Sequence, residues 1–242
     1  MSADAFDSWF RTFREIGDIL VAHVDLTAHE EREAHAFTWL DEEERERWRR
    51  YKYDRPRREF ALCRAALRSI LCRRLDCKNK RLAFGALDHG KPFALLDGTE
   101  APVSFNVSHS GNHGLIAIAP GGRLGVDVEE RVARIDIDLM IESVFGPEEQ
   151  AEFASLRERE KRHLFFTLWT LKEALIKALG TGFSLNPSRF EIPSAMRQGA
   201  RKGIFRFPHI PKVGWRLENL GNPDFAAAIA HESDSVLDVK NE

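Results

Sequence analysis

The chain has 242 residues, 36 basic and 38 acidic side chains and a formal charge of −2. A dedicated nucleic-acid binder carries a basic excess that is missing here, and no apolar run reaches the ~20 residues that cross a bilayer. Residues 1–20 are broken by Asp4, Asp7, Arg11, Arg14 and Glu15, so they lack the apolar core of a signal peptide. Cys63, Cys72 and Cys77 form neither an even disulfide set nor a zinc spacing, and the nine histidines show no ligand spacing either. A cytoplasmic protein with reduced thiols is expected.

In chain order, Leu20 to Leu26 reads as the first strand. A highly charged helix covers Asp41 to Tyr51, anchored by Trp39 and Trp48. Pro56 opens another helix, whose Phe60, Leu62, Ala65, Ala66, Ile70 and Leu71 make an apolar stripe. Leu82 to Phe84 is a short strand, and Gly90-Lys91-Pro92 a turn. Val103 to Val107 and Gly114 to Ala119 are strands joined by a polar turn from Ser108 to His113. After the Pro120-Gly121-Gly122 turn comes a strand from Leu124 to Glu129. Helices follow at Ile137 to Phe145, Pro147 to Leu156 and His163 to Leu179, the last ended by Gly180. Arg189 to Ile192, Gly203 to Phe207, Gly214 to Leu220 and Phe225 to Ala230 read as strands, and Val236 to Glu242 as a frayed tail.

The halves rhyme. Ala22-His23-Val24-Asp25-Leu26 resembles Gly125-Val126-Asp127-Val128-Glu129, and the helix segment 60–68 resembles 169–177 in pattern. An internal repeat predicts an α+β fold of two similar lobes, 1–119 and 120–242, related by a pseudo-twofold. Each would be a small antiparallel sheet packed with helices, with a cleft between the lobes.

Four patterns can carry chemistry. Alternation in the strand 125–129 sends Val126 and Val128 to one face, the core, and Asp127 and Glu129 to the other. Neighbouring carboxylates repel unless water, a proton or a cation intervenes, and Mg²⁺ takes one or two carboxylates plus phosphate oxygens. A solvated sheet face would show the same alternation. On the helix 163–179, leucines 164, 168, 171, 175 and 179 form one stripe, while Phe166, Trp169, Glu173, Ile176 and Lys177 form a second, opposite one. Glu173 and Lys177 then either line the cleft or form a plain i,i+4 ion pair. Ser108 and His109 suit a phosphate but also suit an ordinary turn. As neighbours on a strand they point apart, so they are badly placed as nucleophile and base. The basic series Arg47, Arg49, Arg50, Lys52, Arg55, Arg57, Arg58, Arg64 and Arg68, followed by Lys91, mixes solvated surface with candidates for an anion pocket.

Four blocks in order resemble the 4′-phosphopantetheinyl transferases, in their long, Sfp-type branch. They are Gly90-Lys91-Pro92, residues 105–110 (FNVSHS), residues 125–129 (GVDVE) and residues 169–177 (WTLKEALIK). The resemblance implies transfer of the 4′-phosphopantetheine arm of coenzyme A to a serine of an apo acyl or peptidyl carrier protein, with release of 3′,5′-ADP. It also implies Mg²⁺ held by Asp127, Glu129 and Glu173, with Glu173 the candidate base and Lys177 on the pyrophosphate. Arg57, Lys91, Ser108 and His109 would hold the coenzyme, and the chain would act as a monomer. Residues 131–145, with Arg131, Arg134, Met140, Ile141 and Val144, are a candidate surface for the carrier. Two other classes remain open: another Mg²⁺-dependent phosphotransfer or phosphodiester enzyme, and a non-catalytic module that binds coenzyme A or a carrier.

Overall fold

The structure, a computed structural model, describes residues 9–87, 90–131, 136–180, 185–208 and 210–233. The predicted tail at 236–242 and Arg134 lie outside the described residues. The fold is α+β, and the chain divides into two compact units, Met1–Gly121 and Gly122–Glu242.

The first unit is built on an antiparallel sheet of β1 (Phe10–Ile16), β2 (Ile19–Asp25), β6 (Ser104–Ser110) and β7 (His113–Ala119), in the order β1-β2-β7-β6. Ala22 and Val24 on β2, Phe105 on β6, and Ile116 and Ile118 on β7 turn to one core. The same core takes in the long helix α3 (Asp54–Arg74) through Leu62, Cys63, Ala66 and Leu67. Two shorter helices precede it: α1 (Glu30–Trp39) and α2 (Glu42–Arg50). Asp41 and Glu44 start α2 with a reciprocal cap, each side chain accepting from the other's backbone N–H. A second sheet holds β3 (Leu82–Ala86), β4 (Pro92–Leu96) and β5 (Thr99–Glu100).

Strand β6 runs through Ser110, so the predicted turn from Ser108 to His113 shrinks to Gly111-Asn112. Gly111 takes a φ of 61°, which a tight hairpin requires. Strand β1 and helix α1 had no sequence counterpart above. Strand β1 is an edge strand with no buried residue and a register shift between Thr12 and Arg14. Helix α1 buries only Ala36. Both lack the apolar periodicity that marks an element.

The second unit has a sheet of β8 (Leu124–Glu130), β9 (Lys202–Phe205), β10 (Gly214–Asn219) and β11 (Phe225–Ser233), in the order β8-β11-β10-β9, all antiparallel. Its helices are α4 (Ile137–Val144), α5 (Pro147–Ala154), α6 (Glu158–Leu179) and α7 (Ser194–Arg197). Gly180 ends α6 in the left-handed region at φ 75°, donating its N–H to Ile176 O at 3.1 Å. The predicted strand 189–192 is absent: residues 187–189 form a 3-10 turn and the chain then runs without a ladder. Phe190 and Ile192 are buried there as side chains in an aromatic core with Phe145, Phe205, Phe207 and Trp215.

Helix α6 lies on the face of β8 that carries Gly125, and a Cβ at Gly125 would sit 2.1 Å from Ala174 O and 2.4 Å from Ala178 N. The helix backbone therefore rests directly on the strand. Across the ladder, Ala226, Ala228 and Ala230 of β11 stand opposite Glu129, Asp127 and Gly125, so this patch of sheet is floored by small residues. By alternation, Asp127 and Glu129 share the face of Gly125, and the carboxylates therefore lie on the helix side. Val126 and Val128 take the opposite face and are buried as well. The expectation that the valines alone face a core is corrected by that close helix contact.

One buried ion pair locks the helix from the other side. Lys172 Nζ lies 2.8 Å from Glu149 and donates to the carbonyls of Pro187 and Phe190, and both charged side chains are fully buried. Glu149 also accepts the N–H groups of Gly146 and Ile192 at 3.0 and 2.8 Å. Burial of a charge is tolerated when its partner and further hydrogen bonds are all in place.

A methyl group at Gly125 cannot be absorbed by a flexible side chain, because backbone atoms meet it. Gly125→Ala should cost about 3 kcal/mol, the upper part of the range for overpacking. The midpoint of urea unfolding measures this, and a change within 0.5 kcal/mol (about the noise of a surface substitution) would show that the helix can move away freely.

Candidate active site

Strand β8 and helix α6 deliver four charged side chains to one place in the second unit. The Lys177 ammonium lies 2.6 Å from Asp127 Oδ1. Asp127 is only 3% exposed. One turn earlier on the helix, Glu173 feels Asp127 and Glu129 as repelling charges and Lys177 as an attracting one. Burial is the larger influence and the two carboxylates add to it, so the Glu173 carboxyl is pushed up to about 7 against the opposing pull of Lys177. Trp169, a further turn along, donates its indole N–H to Glu129 Oε1 at 3.2 Å. Residues 169, 173 and 177 thus occupy successive turns along one edge of α6, each addressing the carboxylate strand.

The neighbouring motif residue has a different role. Lys172 points away into the buried pair with Glu149, so in the Lys172-Glu173 dipeptide one side chain is structural and the other faces the acids. The Trp169–Glu129 hydrogen bond and the Lys172–Glu149 pair escaped the sequence reading. A buried lysine carries no sequence mark, whereas Trp169 already lay on the right stripe.

Whether these residues suit a divalent cation can be judged from their chemistry. All three acids offer oxygen ligands, which hard cations such as Mg²⁺ prefer. Burial, with repulsion from Asp127 and Glu129 added to it, raises the Glu173 carboxyl, and a cation among the acids would relieve the repulsion. The Lys177 ammonium already gives partial relief at Asp127. Among the described residues no three His, Cys, Asp or Glu side chains are drawn together closely enough to hold an ion as they stand. The donor set fits by its chemistry, and loading it requires the carboxylates to draw closer together than they stand.

The remaining candidates lie in the first unit. On β6, Ser108 is buried and His109 is partly exposed, facing opposite sides of the sheet. His109 Nδ1 lies 3.5 Å from Glu59 Oε2 of α3. Its ladder partner Gly114 makes room for the helix, since a Cβ there would lie 2.9 Å from Cys63 Sγ. Arg57 donates to Tyr51 O at 2.7 Å and stacks its guanidinium 4.8 Å from the Trp48 ring centre, so it braces the passage from α2 to α3. Lys91 precedes β4 and accepts the N–H of Leu87 on its carbonyl at 2.9 Å. Of the basic series, Arg68 is excluded from any ligand pocket: it is 1% exposed and spent on Asp41, Glu44, Asn79 and the carbonyl of Leu82. On the predicted carrier surface, Ile141 is buried in the core, with Met140 and Val144 packed against it.

Known proteins match both units. Residues 123–230 match the family model of the 4′-phosphopantetheinyl transferase superfamily, and residues 27–121 that of the 4′-phosphopantetheinyl transferase N-terminal domain. A putative 4′-phosphopantetheinyl transferase of Synechocystis sp. is 38% identical over 184 residues, 74% of this chain and 71% of that one. The 4′-phosphopantetheinyl transferase HetI of Nostoc sp. is 33% identical over 145 residues, 60% of this chain and 61% of its own. Sfp of Bacillus subtilis, also a 4′-phosphopantetheinyl transferase, is 25% identical over 170 residues, 70% and 73% of the two chains. Fold and matches together define a transferase enzyme. The chain belongs to the 4′-phosphopantetheinyl transferase superfamily.

A raised carboxyl gives a signed pH dependence. The folded value for Glu173, about 7, lies above its ordinary 4.5. Its contribution to metal-free stability is therefore full below pH about 4.5 and lost as pH rises through about 7. Urea unfolding of wild type and Glu173→Gln between those limits should show the wild type losing stability relative to the variant. Two parallel pH profiles would contradict the placement of Glu173 against the acids.

Proposed function

We propose that this enzyme transfers the 4′-phosphopantetheine arm of coenzyme A to the serine hydroxyl of an apo acyl or peptidyl carrier protein and releases 3′,5′-ADP. It works as a Mg²⁺-dependent monomer in the cytoplasm, and among the described residues no helix is long and apolar enough to cross a membrane. The observation that carries the reading is the Asp127–Lys177 contact with Glu173 and Glu129 beside it, in a chain of this superfamily.

Asp127, Glu129 and Glu173 would hold the cation. Bound there, it would supply Lewis-acid stabilisation of the charge that grows on the pyrophosphate. Lys177, which lies against Asp127, would offer its ammonium to the departing phosphate. Glu173 is the candidate base for the proton of the incoming serine, because α6 holds it in a partly buried place beside Asp127, Glu129 and Lys177. Trp169 fixes one oxygen of Glu129 and so limits how that carboxylate can turn. In the first unit, Ser108, His109, Lys91 and Arg57 are assigned to the coenzyme, with Glu59 holding the His109 ring in place.

The test is intact-mass analysis of an apo-carrier incubated with the enzyme, coenzyme A and Mg²⁺. Wild type should add the phosphopantetheine mass, chelation should stop it and Mg²⁺ should restore it. Asp127→Ala should lower the rate by about 10²-fold or more, the usual cost of losing a charge-stabilising group. Normal turnover by that variant, or hydrolysis of coenzyme A with no mass gain on the carrier, would refute the proposal.

A further inference from the structure

The second unit has a cavity of about 660 Å³ whose wall includes Arg131, Arg159, Arg162, Arg201 and His163. Four guanidinium groups on one concavity require an explanation, because like charges gathered this way repel. Two other arginines of this unit are neutralised: Arg123 lies 3.0 Å from Glu232, and Arg197 pairs with Glu148 and Glu152.

In the cavity two of the four are held by neutral atoms instead. Arg131 donates to the carbonyl of Asn222, and Arg201 donates to the carbonyl of Gly221 at 3.2 Å. Carbonyls fix the direction of a guanidinium without cancelling its charge. Gly221 keeps the space open, since a Cβ there would lie 3.4 Å from Arg131 Nη2 and 3.0 Å from Asn219 Oδ1. Among the described residues, Arg131, Arg159 and Arg201 have no carboxylate within ion-pair distance. Asp224 acts on Arg131 only as a more distant charge, and Arg162 pairs at 2.8 Å with the exposed Glu158. Burial and Arg131 both hold His163 below the usual imidazole range, as expected beside uncompensated positive charge.

We propose that this cavity is an anion site for a small phosphate-bearing ligand, separate from the carboxylate–lysine site. Guanidinium forks match phosphate oxygens in pairs. The volume lies within the range of small-molecule pockets and has room for a phosphoryl or pyrophosphoryl group on a compact ligand. On α6, Arg162 precedes Glu173 by three turns, about 16 Å along the axis. The two sites therefore sit on one helix without sharing a residue.

Titration calorimetry with inorganic pyrophosphate, in chelator so that no divalent cation contributes, tests the assignment. Wild type and Lys177→Ala should bind one equivalent alike, and Arg159→Ser/Arg201→Ser should bind at least tenfold more weakly. Both arginines of that variant are exposed, so the fold is retained, and circular dichroism checks it. Absence of binding to wild type, equal binding by the double variant, or loss of binding in Lys177→Ala would each overturn the assignment.

Discussion

The contact between the backbone of α6 and the backbone of β8 at Gly125 sets the terms for the second unit. A helix that rests on a strand with no side chain between them brings whatever the two elements carry at their shared edge within charge–charge range. Here the strand carries Asp127 and Glu129, and the helix carries Glu173 and Lys177. Three acids and one base leave a net negative charge in a partly buried place. The protein answers in two ways: Lys177 binds Asp127, and Glu173 keeps its proton to about pH 7. Both answers are provisional in a chemical sense, because a divalent cation would displace the ammonium and the proton together.

The support for this arrangement lies on the far side of the same helix. Lys172 and Glu149 are fully buried and saturated with hydrogen bonds, tying α6 to the start of α5 and to the segment at Pro187–Phe190. Removing either partner would leave a buried charge uncompensated. The adjacent residues Lys172 and Glu173 thus divide the work, one fixing the helix and the other facing the acids. The first unit follows a related plan by itself: Gly114 opens the sheet to α3, and Glu59 of α3 stands beside His109 of β6.

Much of the fold was legible because it is periodic. Helix α6, strands β2, β7, β8, β10 and β11, and the glycine stop at Gly180 all follow from apolar spacing and turn chemistry. The failures have identifiable causes. Phe190 and Ile192 alternate like a strand but serve as core plugs on an irregular segment. Ser108 and His109 look like turn residues by composition, yet the cross-strand pairs with Leu115 and Gly114 extend the ladder through them. Asp127, Glu129, Glu173 and Lys177 were visible through alternation and helical spacing. That Gly125, Ala174 and Ala178 permit their approach was not, since small residues carry no periodic signal. The arginines of the cavity were invisible as a group, because three separate segments contribute them.

The central claim is that one cation replaces the ammonium and the proton now held by the acids. Calorimetric titration of the enzyme with Mg²⁺, repeated in buffers of different ionisation enthalpy, counts the protons released. The account predicts close to one proton displaced near pH 6, almost none at pH 8.5, and none at either pH for Glu173→Gln. Proton release that is the same at both pH values, or unchanged in the variant, would contradict it.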